Sequence, residues 1–284
     1  MAISNNLKNH RAQLPDAEPW VRILGRFGLS ALAVVNLAIG ILALKLAMGE
    51  RQQDVSKDSA LALVAQQPFG QWILNIVGIG LIAYAVYRVV GAIKDIDAKG
   101  TDAKGIVGRI GFAISGIVYG SLGASAVGFA WVSRGSSGSG GGGEGTATQL
   151  LEMPFGRILV GAVGVALIGY AIAQIRKGVT KKFFKKFKTV EMSPTVLKTL
   201  EVSGMSGLLA KGAVVAIIGG FFLQAAVDET ARQSGKLSAA LSWIIRQPYG
   251  EIMLYAVAIG LILYGVYVAL KARYRHFSKT PSAA

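Results

Sequence analysis

The chain has 284 residues, of which 52% are hydrophobic and 37 are glycine, with a mean hydropathy of +0.50. That composition is too apolar and too rich in glycine for an ordinary water-soluble domain and reads as an integral membrane protein. The formal charge of +15 is accounted for by loop asymmetry, as shown below, and zero cysteines exclude disulfides and thiolate metal sites.

The first 26 residues are polar and carry Pro15 and Pro19, so they lack the apolar centre of a secretory signal; the first span is expected to direct insertion. Gly25-Arg26-Phe27-Gly28 opens an apolar run at about 27–47, long enough to cross a hydrocarbon core of about 30 Å. After an outer loop, Ser59 to Gln67 reads as a short amphipathic helix lying at the outer interface, capped by Asp58 or Ser59. Pro68-Phe69-Gly70 ends it: the proline stops one helix and opens the next, the glycine lets the chain turn, and the aromatic ring suits the headgroup boundary. A second span at about 72–90 descends from that corner with small residues at Gly78 and Gly80 and with Tyr84 sixteen residues after the proline. That distance, about 24 Å of helix, places the tyrosine as an aromatic-belt residue near the opposite surface.

The same unit is written twice more. Gly108-Arg109-Ile110-Gly111 precedes a span at about 110–132, in which Gly116, Gly120, Ala124 and Gly128 share one face. Such a stripe serves contact within the chain or a dimer seam. A glycine- and serine-rich loop at 133–148 leads to Pro154-Phe155-Gly156 and a span at about 158–175 carrying Gly164, Ala166 and Tyr170. Residues 177–188 then interleave six lysines, among them Lys181, Lys182, Lys185, Lys186 and Lys188, with three phenylalanines, a composition suited to anionic lipid. The third copy opens on Gly204-Met-Ser-Gly207, without the arginine, and Lys211, one turn further on, is read as the substitute cation, snorkelling back to the headgroups. Its span at about 207–227 is followed by the short stretch 236–245, Pro248-Tyr249-Gly250, and a last span at about 252–270 carrying Ala258, Gly260 and Tyr264.

The expected fold class is therefore all-α: a polytopic membrane bundle of six helices, built as three tandem two-helix repeats with pseudo-threefold symmetry about the membrane normal. The expected divisions are a tail at 1–19, repeats at 20–97, 98–188 and 189–277, and a C-terminal tail at 278–284. The small pairs Gly78 and Gly80, Gly164 and Ala166, Ala258 and Gly260 are expected to be helix-packing positions, because lipid offers little hydrophobic force between helices.

Loop charge sets the orientation. The segments on the side of the termini hold 22 of the 30 basic residues and 7 of the 15 acidic ones, which is the whole of the +15. By the positive-inside rule both termini are expected in the cytosol. Mid-span acids, paired carboxylates and metal-ligand spacings are absent from the sequence, and Arg88 and Lys211 are read as lying within a turn or so of a span end. Asn36, the polar group deepest in a span, is read as an interhelical hydrogen-bonding residue or as part of a polar path.

The Gly-Arg-x-Gly, Pro-aromatic-Gly and Val-small-Ile/Val-small-Leu-Ile-x-Tyr runs, from about Trp20 to Phe277, resemble the bacterial domain-of-unknown-function family twelve-oh-six. The resemblance implies a bacterial inner-membrane protein of six spans and implies no activity. The expected function is that of a non-enzymatic structural, scaffolding or accessory component; the alternative is a channel or carrier for a small solute along the pseudo-threefold axis. No cofactor is expected. The expected partners are anionic headgroups on the cytoplasmic side and either a membrane protein or a second copy of the chain, not nucleic acid.

Overall fold

The computed structural model describes residues 19–49, 55–93, 102–131, 155–187, 189, 192–228 and 237–275. Each apolar run forms a helix, the one open-ended structure that satisfies every backbone polar group inside lipid. In chain order they are α1 Pro19–Ala47, α2 Lys57–Ala65, α3 Gly70–Ile93, α4 Ala103–Trp131, α5 Gly156–Val179, α6 Pro194–Asp228, α7 Leu237–Ile245 and α8 Gly250–Tyr274. Six of these are long and apolar enough to cross a membrane, and the chain is a multi-pass membrane protein. No strand occurs among the described residues, only an isolated bridge between Phe187 and Arg275. Six crossings bring Pro19 and Tyr274 to one face, called the terminal face; the three corners lie on the opposite, corner face.

The corners are built differently from the expectation. The aromatic residue, rather than the glycine, takes the left-handed backbone: φ is 61° at Phe69, 66° at Phe155 and 59° at Tyr249. Such a conformation costs an aromatic residue about 1–3 kcal/mol, and it recurs in all three repeats with the ring exposed, as a headgroup-level anchor requires. Gly70 and Gly250 are needed for space instead. A Cβ on Gly70 would run into the Val64 and Ala65 carbonyl oxygens, and one on Gly250 into those of Ile244 and Ile245. Pro68 and Pro248 are exposed beside these turns, Gly156 is buried at the start of α5, and Pro154 lies outside the described residues, as does the loop 133–148.

Helices α2 and α7 are amphipathic and turn their apolar face to the bundle rather than to lipid, while Lys57 and Trp243 stay exposed. Ala60 and Leu61 in α2, and their repeat equivalents Ala240 and Leu241 in α7, are fully buried, with α2 set against α1, α3 and α4. The cap of α2 is Ser56, whose Oγ accepts from the Ser59 amide at 3.0 Å, rather than Asp58 or Ser59.

Three seams between repeats are equivalent: α3–α4, α5–α6 and α8–α1. In each, one glycine meets the isoleucine two residues before the repeat tyrosine. Cβ atoms on Gly123, Gly219 and Gly40 would stand 2.8 Å from Ile82, 3.0 Å from Ile168 and 2.7 Å from Ile262. Gly78 and Gly164 serve the same seams against Val127 and Leu223, and Ala258 is buried. Gly116 meets Val89 and Gly120 meets Ala85, so the glycine stripe of α4 is spent on contact within the chain; Gly128 has nothing within 4 Å.

The seams inside the repeats are not equivalent. In the first and third, a Cβ on Gly28 would stand 2.5 Å from Tyr84 Cβ and one on Gly207 2.5 Å from Tyr264 Cα; Gly80 and Gly260 close on Ala31 and Ala210. In the second, α4 and α5 hardly touch. Gly111, the equivalent of Gly28 and Gly207, has nothing within 4 Å, and Ala166, expected to pack, is exposed. The bundle thus runs α4, α3, α1, α8, α6, α5, with its two end helices apart.

Gly28→Ala and Gly207→Ala are each expected to destabilise the purified protein by about 1–3 kcal/mol through overpacking, while Gly111→Ala changes stability by no more than about 0.5 kcal/mol. Thermal unfolding of the three variants in one detergent checks this ordering.

Candidate functional site

The three repeat tyrosines each lie fourteen residues after the first residue of their helix, so Tyr84, Tyr170 and Tyr264 share one depth, about 21 Å from the corner face. They are not belt residues in the first and third copies: Tyr84 is 2% and Tyr264 8% exposed, whereas Tyr170 is 45% exposed. Helical spacing then adds neighbours on the same faces, at i+3 and i+4. Tyr87 and Arg88 follow Tyr84, Gln174 follows Tyr170, and Tyr267 follows Tyr264.

Lys211 is the centre of this group. It stands seventeen residues into α6, at the level of the tyrosines, rather than near an end. Its ammonium does not snorkel; Nζ donates to the Tyr264 hydroxyl at 2.8 Å and lies 4.3 Å from that ring's centroid. Tyr170 accepts from Gln174 Nε2 at 3.0 Å, and Gln174 Oε1 accepts from Lys177 Nζ at 3.5 Å. Residues 170, 174 and 177 fall on one stripe of α5, so a polar ladder runs from Lys177, exposed toward the terminal face, down to Tyr170 at the level of Lys211.

On the other side, the Arg88 guanidinium lies 4.3 Å from the Phe112 ring and 5.2 Å from the Tyr84 ring. Tyr84 meets Tyr119 edge-on at 5.2 Å, and Lys57, at the start of α2, reaches within 5.2 Å of the Tyr119 ring. The group in contact with the Lys211 ammonium is Tyr264, and those in contact with the Arg88 guanidinium are Tyr84 and Phe112. None of these is a carboxylate. The Arg88 Nε is buried with no hydrogen-bond partner. A cation at the bilayer centre costs about 2.5–3.5 kcal/mol by insertion scales. Charge-assisted hydrogen bonds of about 1.5–3 kcal/mol and cation–π contacts of about 0.5–2 kcal/mol offset that cost without neutralising the charge. The arrangement is receptive to an anion.

The terminal end of the bundle is packed with aromatic rings. Phe183 and Phe187, from the lysine-rich segment, are each 4% exposed and lie 5.6 Å and 5.8 Å from the Tyr267 ring. Gly204 allows Phe183 in, since a Cβ there would stand 2.5 Å from the ring. The expectation that this segment faces lipid therefore fails for these two phenylalanines. Lys181 and Lys182 are exposed, and Lys181 forms an ion pair with Glu201; the side chains of Lys185 and Lys186, and all of Lys188, lie outside the described residues. Arg275 is buried over Tyr87 at 5.7 Å. Arg109 caps the end of α3, donating to the Ala92 and Ile93 carbonyls at 2.7 and 3.1 Å.

Asn36 bonds its own helix, donating to the Leu32 carbonyl at 2.6 Å, rather than a neighbouring one. Sequence reasoning missed Lys211 and Arg88 as interior cations. The available signal was positional: Lys211 takes the place of Leu32 and Ser115 four residues after the second glycine, and Arg88 that of Gln174 and Val268 four residues after the tyrosine. Among the described residues, no three His, Cys, Asp or Glu side chains gather as a metal site.

The sequence model of the family described as Domain of Unknown Function (DUF1206) matches this chain three times, at residues 27–95, 110–181 and 206–275. The uncharacterized protein YxxB of Bacillus subtilis (strain 168) is 34% identical over 266 residues, covering 93% of this chain and 94% of its own length. No solved structure matches.

Tyr264→Phe removes one acceptor from the Lys211 ammonium and is expected to destabilise the protein by about 1–3 kcal/mol. In a Lys211→Leu background, with the residue of the first repeat at that place, the same change is expected to cost less than about 0.5 kcal/mol, since the charge it served is gone. Unfolding of the four proteins of this double-mutant cycle measures the coupling.

Proposed function

This chain belongs to the DUF1206 family, and we propose that it acts in the bacterial inner membrane as a non-enzymatic structural or accessory component, through contacts with lipids and with other membrane proteins. The observation that supports this reading is the aromatic packing of Phe183 and Phe187, both buried, against Tyr267 at the terminal end of the bundle. The interior chemistry agrees with it. Among the described residues the cluster offers phenols, one amide and two basic side chains, with no carboxylate in contact with Lys211 or Arg88 to take up a proton in turnover. Loop charge sets the terminal face toward the cytosol, where exposed Lys181 and Lys182 meet anionic headgroups at about 1 kcal/mol per cation.

A second reading, a carrier for a small anionic solute, draws on the convergence of Tyr84, Tyr170 and Tyr264 from all three repeats around Lys211 and Arg88. Flux separates the two. Liposomes containing the purified protein are expected to show no saturable uptake of a panel of small neutral and anionic solutes above protein-free liposomes. Saturable uptake abolished by Lys211→Gln would establish the carrier instead.

A further inference from the structure

Five of the six helix seams are closed by glycine or alanine, and the sixth, between α4 and α5, stands open at the depth of Lys211. The residues that repeat equivalence assigns to that seam are Ile110, Gly111 and Ile114 on α4 and Ala166 and Tyr170 on α5. All five are exposed. An opening at this depth faces acyl chains, not water, and four of its five side chains are apolar or absent. Its inner wall is different. The Tyr170 hydroxyl accepts from Gln174, and Gln174 in turn from Lys177 toward the terminal face, while Lys211 donates to Tyr264, the third-repeat equivalent of Tyr170. One α5 stripe therefore offers a row of polar groups from the terminal face to Tyr170, at the depth of a cation that contacts no carboxylate among the described residues, beside a gap that apolar chains fit.

We propose that the α4–α5 seam binds an anionic glycerophospholipid taken laterally from the terminal-face leaflet, with its phosphate on Lys211 and Tyr170 and its acyl chains left in the bilayer between α4 and α5. Charge complementarity selects this occupant: a zwitterionic headgroup brings its own ammonium to a site already holding Lys211, Lys177 and Arg88. Arg88, one turn nearer the terminal face than Tyr84, adds positive potential along the path. The distance fits. Tyr170 lies nine residues, about 14 Å of helix, from the end of α5, and the ladder from Lys177 through Gln174 to Tyr170 spans much of that depth. The site stands on residues other than the surface lysines invoked above, so it and the reading of overall function fail independently.

Native mass spectrometry of the full-length protein, released from nanodiscs of mixed phosphatidylglycerol and phosphatidylcholine, tests this. Wild type is expected to retain one phosphatidylglycerol in preference to phosphatidylcholine. Lys211→Gln and Tyr170→Phe are expected to lower that retention, the former by about tenfold or more, while Lys182→Gln leaves it unchanged. Gly111→Leu, which puts a side chain into the gap without touching the cations, is expected to lower retention while preserving the unfolding temperature. Retention that ignores headgroup charge, survives Lys211→Gln in a folded protein, or is abolished by competing inorganic phosphate overturns the proposal. So does a lipid-free dimer that Gly111→Leu dissociates, since a second copy of the chain would then occupy the seam.

Discussion

Helices in lipid gain almost nothing by hiding apolar side chains from one another, so backbones must approach closely for dispersion to hold them together. That constraint organises the molecule. Glycine stands wherever two helices cross, and at Gly28, Gly40, Gly123, Gly207 and Gly260 a single added carbon would strike the neighbouring helix. The short helices obey the same rule, because Gly70 and Gly250 let α2 and α7 fold back until their last carbonyls nearly touch the following span. Even the aromatic corners follow from it. The left-handed turn at Phe69, Phe155 and Tyr249 aims each ring outward, and at Phe69 and Tyr249 it brings the next glycine against the helix just finished.

Triplication multiplies one such unit, and the copies have diverged where chemistry is concentrated. Tyr84 and Tyr264 are shut in by Gly28 and Gly207, with Tyr264 accepting from Lys211, whereas Tyr170 faces Gly111 across a gap and accepts from Gln174. A symmetric bundle would have placed leucine or serine at position 211, as at Leu32 and Ser115. Placing lysine there puts a charge inside the membrane, tolerable because its donors find phenol oxygens and a ring face. Departure from symmetry is thus what creates a polar interior beside an opening.

The fold was largely legible in the sequence because its signals are local and repeated: six apolar runs, three Pro-aromatic-Gly corners and tyrosines at constant spacing. Packing at Gly78, Gly80, Gly164 and Gly260 was legible for the same reason, since small residues in a span have few other uses. What failed depends on which helix lies beside which. Tyr84 looked like a belt residue because depth along one helix says nothing about the face it presents. Lys211 looked terminal because the apolar run begins at 207, while α6 itself begins at Pro194 and carries the lysine to its middle. The burial of Phe183 and Phe187, four residues apart, was not legible because a lysine-rich composition does not show which of its residues turn inward. The exposure of Ala166 lay beyond any single-repeat pattern, for its counterparts Gly80 and Gly260 are enclosed.

The chain has no native cysteine, so paired substitutions report directly on the asymmetry from which both the open seam and the interior cluster follow. Disulfide formation in membranes is the measurement, comparing the equivalent pairs Ala31→Cys with Gly80→Cys, Ile114→Cys with Ala166→Cys, and Ala210→Cys with Gly260→Cys. Cβ atoms at Gly80 and Gly260 would stand 2.6 and 2.4 Å from those of Ala31 and Ala210, so a slight separation of the helices brings both pairs into the disulfide range of about 3.5–4.5 Å, whereas Ile114 and Ala166 lie across the gap. An open α4–α5 seam predicts rapid oxidation of the first and third pairs and little of the second. Equal oxidation of all three would show a closed, threefold bundle and contradict the opening.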